Sequence, residues 1–387
     1  MIPVIQYASQ RSYYLIVCDY LADNPGRHFA DEFHNISTTD REAVLDLAKK
    51  KGIDGIVSYS SDVNALTAAY VGSQLELPSN PYHAVLTLTR KDLFRKFLSD
   101  NQFPCPKACT FSILEETLHL RSEYKLPFMV KPVDLAGSQG VVKVDKWSDF
   151  EEAFHQALAI SKEKKVIIEE YIQMNHQFMI AGDAFVLNGK LIFMGLLNSH
   201  RGSELHPFIP TGTSYPILLG QSQVEEVTAA IQRVVDLLGI RFGGLNLELM
   251  YDKKGDLYII EIAPRNGGNM IPELLEIATG FDMVGALVEA SAGRTEIHTK
   301  FRQDDACYLT YVLHSNRSGI LKGVKFSQEI LDNVLRQEMY VKKGEHVFEF
   351  DDARKAIGIL FLKFLSPDEQ MEKLQKINSY VEIILDR

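Results

Sequence analysis

The stretch at residues 242–262, FGGLNLELMYDKKGDLYIIEI, is the strongest constraint in the chain. Two apolar, alternating runs flank DKKGD, where Gly255 can take a positive φ, so the stretch predicts a β-hairpin. Side chains alternate by two along a strand. Asn246 and Glu248 therefore share one face, and Glu261 ends the partner strand on a face that can be made common with them. Two carboxylates then converge beside Arg265 of EIAPRNGGN. Mg²⁺ is held by a few carboxylate oxygens together with phosphates and water, which such a pair can supply. The plainer reading of Glu261 is an acid at the point where a strand leaves the core.

A second constraint lies upstream. LPFMVKPVDLAGSQGVVKV reads as a strand, a lysine, a glycine-containing loop and another strand. Loop amides around Gly137, Ser138 and Gly140 can donate to phosphate oxygens, and Lys131 can add a point charge. The spacing is not that of a P-loop, and a hairpin with a flexible tip has the same pattern. KKVIIEEYI is a strand that turns acidic at Glu169 and Glu170, which by itself also fits an exposed edge.

A chain of 387 residues predicts two or three lobes. Its net charge of −10 argues against a nucleic-acid or anionic-membrane surface. Cys18, Cys105, Cys109 and Cys307 lack the spacing of a disulfide framework or zinc site, and no apolar run reaches the roughly 18 residues of a membrane span. A cytoplasmic protein is expected. Near the N-terminus, YYLIVCDY and DGIVSYS read as strands around a helix capped by Thr39 or Asp40 and stopped at Gly52, with a further helix before Pro78. This is a parallel βαβ domain. Its opening IPVIQYASQRS fits a helix, so the chain reads as starting inside its first βαβ unit, and the sheet is expected to show a gap, a shifted pairing or a strand from another chain.

The order of FMVKP, LAGSQGVV, IIEEYI, LNLELM and EIAPRNGGN, after a lysine-bearing helix, resembles the ATP-grasp carboxylate–amine ligases, the superfamily of biotin carboxylase, carbamoyl phosphate synthetase and the purine-pathway carboxylate ligases. The resemblance implies an α/β and α+β architecture. An N-terminal βαβ domain at 1–88 precedes an ATP-grasp domain at 89–305, whose mobile lid spans about 105–172, and a closing subdomain covers 306–387. It implies that Lys91 and Lys131 contact ATP phosphates under a lid formed by Ser138, Gln139 and Gly140. Glu169 would accept from the adenine amino group, the backbone of Glu170, Tyr171 and Ile172 would read the base edge, and Gln177 occupies the ribose region. Glu248 and Glu261 would hold Mg²⁺, or Mn²⁺ in its place. Arg265 would face an acyl phosphate, with Arg201, Asn246, Asn266, Gly267 and Gly268 near the substrates.

Departures accompany the resemblance. Ala263 stands where many relatives carry asparagine, and no acid follows the hinge to bind ribose; His176 or Gln177 is there instead. Trp147 reads as packing. The segment NSHRGSELHPFIPTGTSYP, with His200, Arg201, Glu204 and His206, reads as a solvated loop or as a substrate-facing one. CYLTYVLH and AIGILFLKFL predict strands, and the run after Pro367 a final helix. Three functions follow: a ligase joining a small-molecule carboxylate to an amine, an enzyme activating bicarbonate, and an ATP-binding regulatory protein without turnover. A homodimer is compatible with each.

Overall fold

The computed structural model describes residues 2–203, 206–297, 301–302 and 306–386. The N-terminal part comprises α1 (Ile2–Gln10), β1 (Ile16–Cys18), β2 (Glu32–His34), α2 (Arg41–Lys51), α3 (Asp62–Gln74), α4 (Tyr82–Thr89) and α5 (Lys91–Asp100). Next come β3 (Ala108–Phe111), α6 (Leu120–Glu123), β4 (Phe128–Pro132), β5 (Val142–Val144), α7 (Phe150–Ile160) and β6 (Val166–Glu170). The centre is built from β7 (Met179–Leu187), β8 (Lys190–Arg201), β9 (Pro210–Tyr215), α8 (Gln221–Leu238), β10 (Phe242–Tyr251), β11 (Leu257–Ala263), α9 (Ile271–Thr279) and α10 (Met283–Ser291). The C-terminal part holds β12 (Cys307–Leu313), β13 (Gly319–Phe326), α11 (Gln328–Leu331), β14 (Val334–Met339), β15 (His346–Val347), β16 (Gly358–Phe364), α12 (Pro367–Gln375), α13 (Ile377–Tyr380) and β17 (Val381–Asp386).

One antiparallel sheet, ordered β11-β10-β7-β8-β9-β12-β16-β14, runs from the central part into the C-terminal part. On one face Leu245, Leu247 and Leu249 of β10 pack with Val227, Ile231, Val234 and Val235 of α8. On the other, Phe185 and Phe193 pack with Leu274, Leu275 and Leu287 of α9 and α10. The sheet β3-β6-β4-β5 makes a separate lobe with its own core, in which the Trp147 ring packs at a tilt against Phe128, centroids 4.9 Å apart. Trp147 is therefore a packing residue.

In the N-terminal part α2 starts and stops as its sequence requires: the Asp40 side chain accepts from the Ala43 N–H, and Gly52 closes the helix at φ 59°. One of the two expected strands does not form. β1 pairs in parallel with β2, whereas residues 54–60 form no strand. Gly55 lies so close to α10 that a Cβ would come within 2.3 Å of the Ser291 carbonyl oxygen, and Ile53 and Ile56 pack with Val44, Leu45 and Val71. Side-chain packing and close helix contact hold this segment; its main chain at 54–58 makes no hydrogen bond to another segment among the described residues.

Two further expectations are corrected. The final helix ends at Tyr380, and VEIILD becomes β17 paired with β13, because Val381, Ile383 and Leu385 alternate onto a common core. Residues 198–201 and 210–215 belong to β8 and β9 and are not a solvated loop; Glu204 lies outside the described residues.

A gap lies beside β1. Leu15 O accepts from Glu32 and Asp19 N–H donates to His34, so the odd positions face β2 and the main-chain groups of Ile16 and Cys18 face the other way. A cavity of about 800 Å³ opens there, lined by Ile16, Cys18, Val57 and Val288 among others. Amide-resolved hydrogen exchange is expected to show Ile16 and Cys18 exchanging at least about tenfold faster than Val17, whose N–H faces the ladder. Equal protection of all three would mean that another group closes this edge.

Candidate active site

The site begins with the register of β10. Asn246 sits opposite Asp183 of β7 and Ala263 of β11, and Glu248 sits directly opposite Glu261. The ladder then skips Ile260, so that Leu249 pairs with Ile259. This bulge keeps Ile259 in the core under α8 while Glu261 turns to the open face, and it aims the Ile260 carbonyl at Arg95, whose Nη2 donates to it at 2.8 Å.

Each of the two acids already has a cation. Glu248 accepts from Arg201 Nη2 at 2.6 Å, and Glu261 lies 3.7 Å from Lys91 Nζ. Burial opposes the charge on Glu261, but Lys91, Arg265, Lys131 and Arg95 outweigh it and hold the carboxyl below its ordinary range. Among the described residues no group of three or more acid, histidine or cysteine side chains forms a metal cage. A divalent ion here would depend on Glu248 and Glu261 plus oxygens from a ligand, the donor set Mg²⁺ accepts. The site fits such an ion because the two acids are cross-strand neighbours on one face of the sheet, each paired with a single cation.

Behind this pair stands a buried triad. Glu169 accepts from Lys131 Nζ at 2.5 Å and forms an ion pair with Arg95, whose Nε lies 2.9 Å away, with all three side chains nearly sealed from solvent. Burial raises the Glu169 carboxyl, yet Arg95 and Lys131 more than offset this and hold it at about 2. Burial and the like charges of Arg95 and Lys91 lower Lys131. Two cations face one carboxylate, and Arg95 Nη1 is buried with no acceptor, so the pocket has positive charge to spare for an anion. Arg95 was not singled out in the sequence; its signal is the i, i+4 spacing from Lys91 on α5.

The loop between β4 and β5 reaches across the site. Lys91 Nζ donates to Leu135 O at 2.6 Å, Ser138 Oγ to Phe208 O at 3.2 Å and Gln139 Nε2 to Ala136 O at 3.2 Å. Gly140 has φ 65°, a left-handed backbone that favours glycine, and a Cβ there would press on the end of the Ile160 side chain.

Other expected residues fall as follows. Glu170 is exposed and its N–H is used by Lys107 O, whereas the N–H groups of Tyr171 and Ile172 make no hydrogen bond among the described residues. His176 accepts from the Tyr251 N–H, which gives it a structural task, and Gln177 is exposed. Gly267 is packed against Asp183 and Asn246; Gly268 faces open space. Asn266 is fully buried without a side-chain partner, seated over Gly244, where a Cβ would lie 1.7 Å from its Oδ1.

Arg265 joins the parts. Its Nη1 donates to Asn246 Oδ1 at 3.0 Å, and its Nε and Nη2 to Asp62 Oδ1 and Oδ2 at 3.0 and 3.3 Å. Asn246 is oriented in turn by Asp183 at 2.8 Å, whose other oxygen takes the Gly267 N–H at 2.7 Å. Asp183 and Asp62 are both absent from the sequence-based site: an acid inside an apolar strand and an acid in a helix's first turn have ordinary structural readings.

Residues 124–273 match the model of the ATP-grasp domain. The chain contains an ATP-grasp domain. A carbamoyl phosphate synthase large chain from Halobacterium salinarum is 23% identical over 266 residues, covering 66% of this chain but only 25% of that one. The chain thus spans about a quarter of that relative. Two solved structures share the fold over nearly the whole chain. The L-amino acid ligase from Bacillus licheniformis has a TM-score of 0.80 at 18% identity, covering 99% of this chain and 95% of that one. Phosphoribosylglycinamide synthetase from Anaerococcus prevotii has 0.77 at 19%, covering 100% and 97%.

Within the ATP-grasp domain Asp183 gives a pH test. Burial raises its carboxyl to about 7 from 3.8, only partly offset by the Gly267 and Asn246 donors and by Arg265. The folded protein therefore holds a proton there that the unfolded chain releases. That contribution to stability is complete below about pH 4 and is lost as pH rises through about 7. Asp183→Asn is expected to flatten the fall in Tm between about pH 4 and pH 7. An unchanged slope would assign the titration elsewhere.

Proposed function

We propose that the protein is an ATP- and Mg²⁺-dependent ligase that activates a small-molecule carboxylate as an acyl phosphate and joins it to an amine, releasing ADP. The observation that carries this reading is the Glu248–Glu261 pair, face to face on adjacent strands with Arg265 close by. The resemblance of the fold to an L-amino acid ligase supports it.

In this reading the triphosphate lies between α5, β4 and the β4–β5 loop, where Lys91, Lys131 and Arg95 supply the positive charge. The loop amides at 138–140 cover it, and Glu170, Tyr171 and Ile172 offer main-chain groups to the base. Glu248 and Glu261 would hold Mg²⁺, which supplies charge neutralisation between phosphates. Lys91 and Arg201 then leave the carboxylates and are free to meet anionic oxygens. Phosphoryl transfer needs alignment and neutralised charge more than a protein nucleophile, in keeping with the absence of one from this constellation. The substrate carboxylate attacks the γ-phosphorus, forming the acyl phosphate and ADP; the amine then adds to the acyl carbon and phosphate leaves. Arg265 stabilises charge on the acyl phosphate and its tetrahedral successor. Small molecules are the partners in this reading and the cytoplasm its setting; no helix among the described residues is long and apolar enough to cross a membrane.

The test is release of ADP and phosphate from MgATP in the presence of paired carboxylates and amines, with bicarbonate as one of the acids. Turnover that requires both an organic acid and an amine supports the ligase. Turnover with bicarbonate alone moves the assignment to bicarbonate activation, and nucleotide binding without turnover in any mixture moves it to a regulatory protein.

Two variants address the carboxylates. Glu248→Gln and Glu261→Gln are each expected to abolish turnover with Tm little changed, and Mg²⁺-dependent ATP binding is expected to weaken in both. Activity retained in either would remove that residue from the metal site. The lid is tested without chemistry. Hydrogen exchange at residues 134–141 is expected to slow when a non-hydrolysable ATP analogue binds, since phosphates would order the loop amides. Equal protection with and without the analogue counts against the lid.

A further inference from the structure

Residues 59–62 of the N-terminal domain touch the candidate site directly. Ser61 caps α3 by accepting from the Asn64 N–H, which places Asp62 at the first helical position. An acid there would normally serve its own helix terminus from the solvent side. Asp62 instead reaches across to Arg265 and takes two of its donors, Nε at 3.0 Å and Nη2 at 3.3 Å. The pair is well shielded, the Arg265 and Asp62 side chains being 12% and 19% exposed. Two further bonds bind the same segment to the loop that follows Arg265 and to α9 beyond it. Tyr59 O accepts from the Asn266 N–H at 3.0 Å, and Tyr59 Oη donates to Glu273 at 3.2 Å.

A guanidinium has five N–H donors in one plane. In Arg265 two go to Asp62, while Nη1 donates to Asn246 Oδ1 and to Asn266 O. One Nη2 proton remains. The plane of the arginine is thus set from both sides, by Asn246 in the ATP-grasp domain and by Asp62 in the N-terminal domain, and its free donor has a defined direction. Asp62 also lines the small cavity shared by Lys91, Arg95 and Glu261, so the carboxylate that holds Arg265 borders the candidate site.

We infer that Asp62 is a positioning residue for Arg265: its carboxylate fixes the guanidinium through a bidentate contact, so that a segment of the N-terminal domain sets the geometry of the arginine in the ATP-grasp domain. The catalytic consequence rests on the ligase reading above; the positioning does not. Asp62→Asn keeps the shape but loses the charge and one acceptor, Asp62→Glu keeps the charge on a longer arm, and Tyr59→Phe loosens the same domain contact without touching Arg265.

The experiment has two arms. Side-chain ¹⁵N relaxation of the Arg265 Nε–H, identified by its disappearance in Arg265→Lys, is measured for the wild-type chain and the three variants. Expected are a rigid Nε–H in wild type and Tyr59→Phe, a mobile one in Asp62→Asn and partial recovery of rigidity in Asp62→Glu. A wild-type signal that is already mobile, or an Asp62→Asn signal as rigid as wild type, overturns the positioning. If Asp62→Asn fails to fold, Asp62→Glu against Tyr59→Phe decides: an Nε–H less rigid in Asp62→Glu than in Tyr59→Phe supports it, and equal rigidity in both refutes it. In the second arm, with whichever acid and amine support turnover, Asp62→Asn is expected to lose up to about 10²-fold in kcat with the ATP KM within about twofold, the pattern of a misplaced group. A loss confined to KM would refute the catalytic consequence. Absence of wild-type turnover would refute the ligase reading and leave the relaxation result to decide the positioning.

Discussion

One skipped residue decides what the central hairpin can do. Without the irregularity at Ile260, the alternation that buries Leu249 against Ile259 would carry Glu261 to the same side as the α8 core. The extra residue changes the phase of β11 relative to β10, so the core contacts and the Glu248–Glu261 pair coexist in one ladder. It also turns a main-chain oxygen toward Arg95. The apolar layer, the paired acids and part of the anion pocket therefore depend on a single register change, and a deletion at this position would sacrifice one to keep the others.

Around that hairpin the side chains are arranged as pairs whose charges nearly cancel: Arg201 with Glu248, Lys91 with Glu261 and Arg265 with Asp62. The triad at Glu169 departs from this by one positive charge. Burying charge costs several kcal/mol per ion unless it is compensated, so the pairing makes a highly charged cleft compatible with a stable fold. The uncompensated cation marks where an anion is favoured.

The hairpin, its turn and the shared face of Asn246, Glu248 and Glu261 were legible because strand alternation is local and strict. The β4–β5 loop and the lysines were legible for the same reason, as residues attached to readable strands. Asp183 and Asp62 were not, since their importance lies in which distant groups they meet, and nothing in their own neighbourhoods signals it. The strand misassigned at residues 54–60 has the right composition, but a strand needs a ladder, and Gly55 is drawn instead to the α10 carbonyls. At the C-terminus the helical spacing after Pro367 and the alternation after Val381 run together, and only the pairing with β13 separates them. Similarly, the glycine pair of FGGL is explained only when Asn266 is seen to occupy the space that a side chain on Gly244 would fill.

In the proposed ligase, the cations resting on Glu248 and Glu261 would tie metal binding to nucleotide binding. Either alone meets an opponent: a divalent ion must compete with Arg201 and Lys91, and a triphosphate must draw those side chains away from carboxylates left exposed. Together each removes the other's obstacle. In that reading the two binding events would be linked by a coupling free energy that is reciprocal by thermodynamic necessity, and heterotropic cooperativity would follow from the side-chain pairs alone, with no change of domain arrangement.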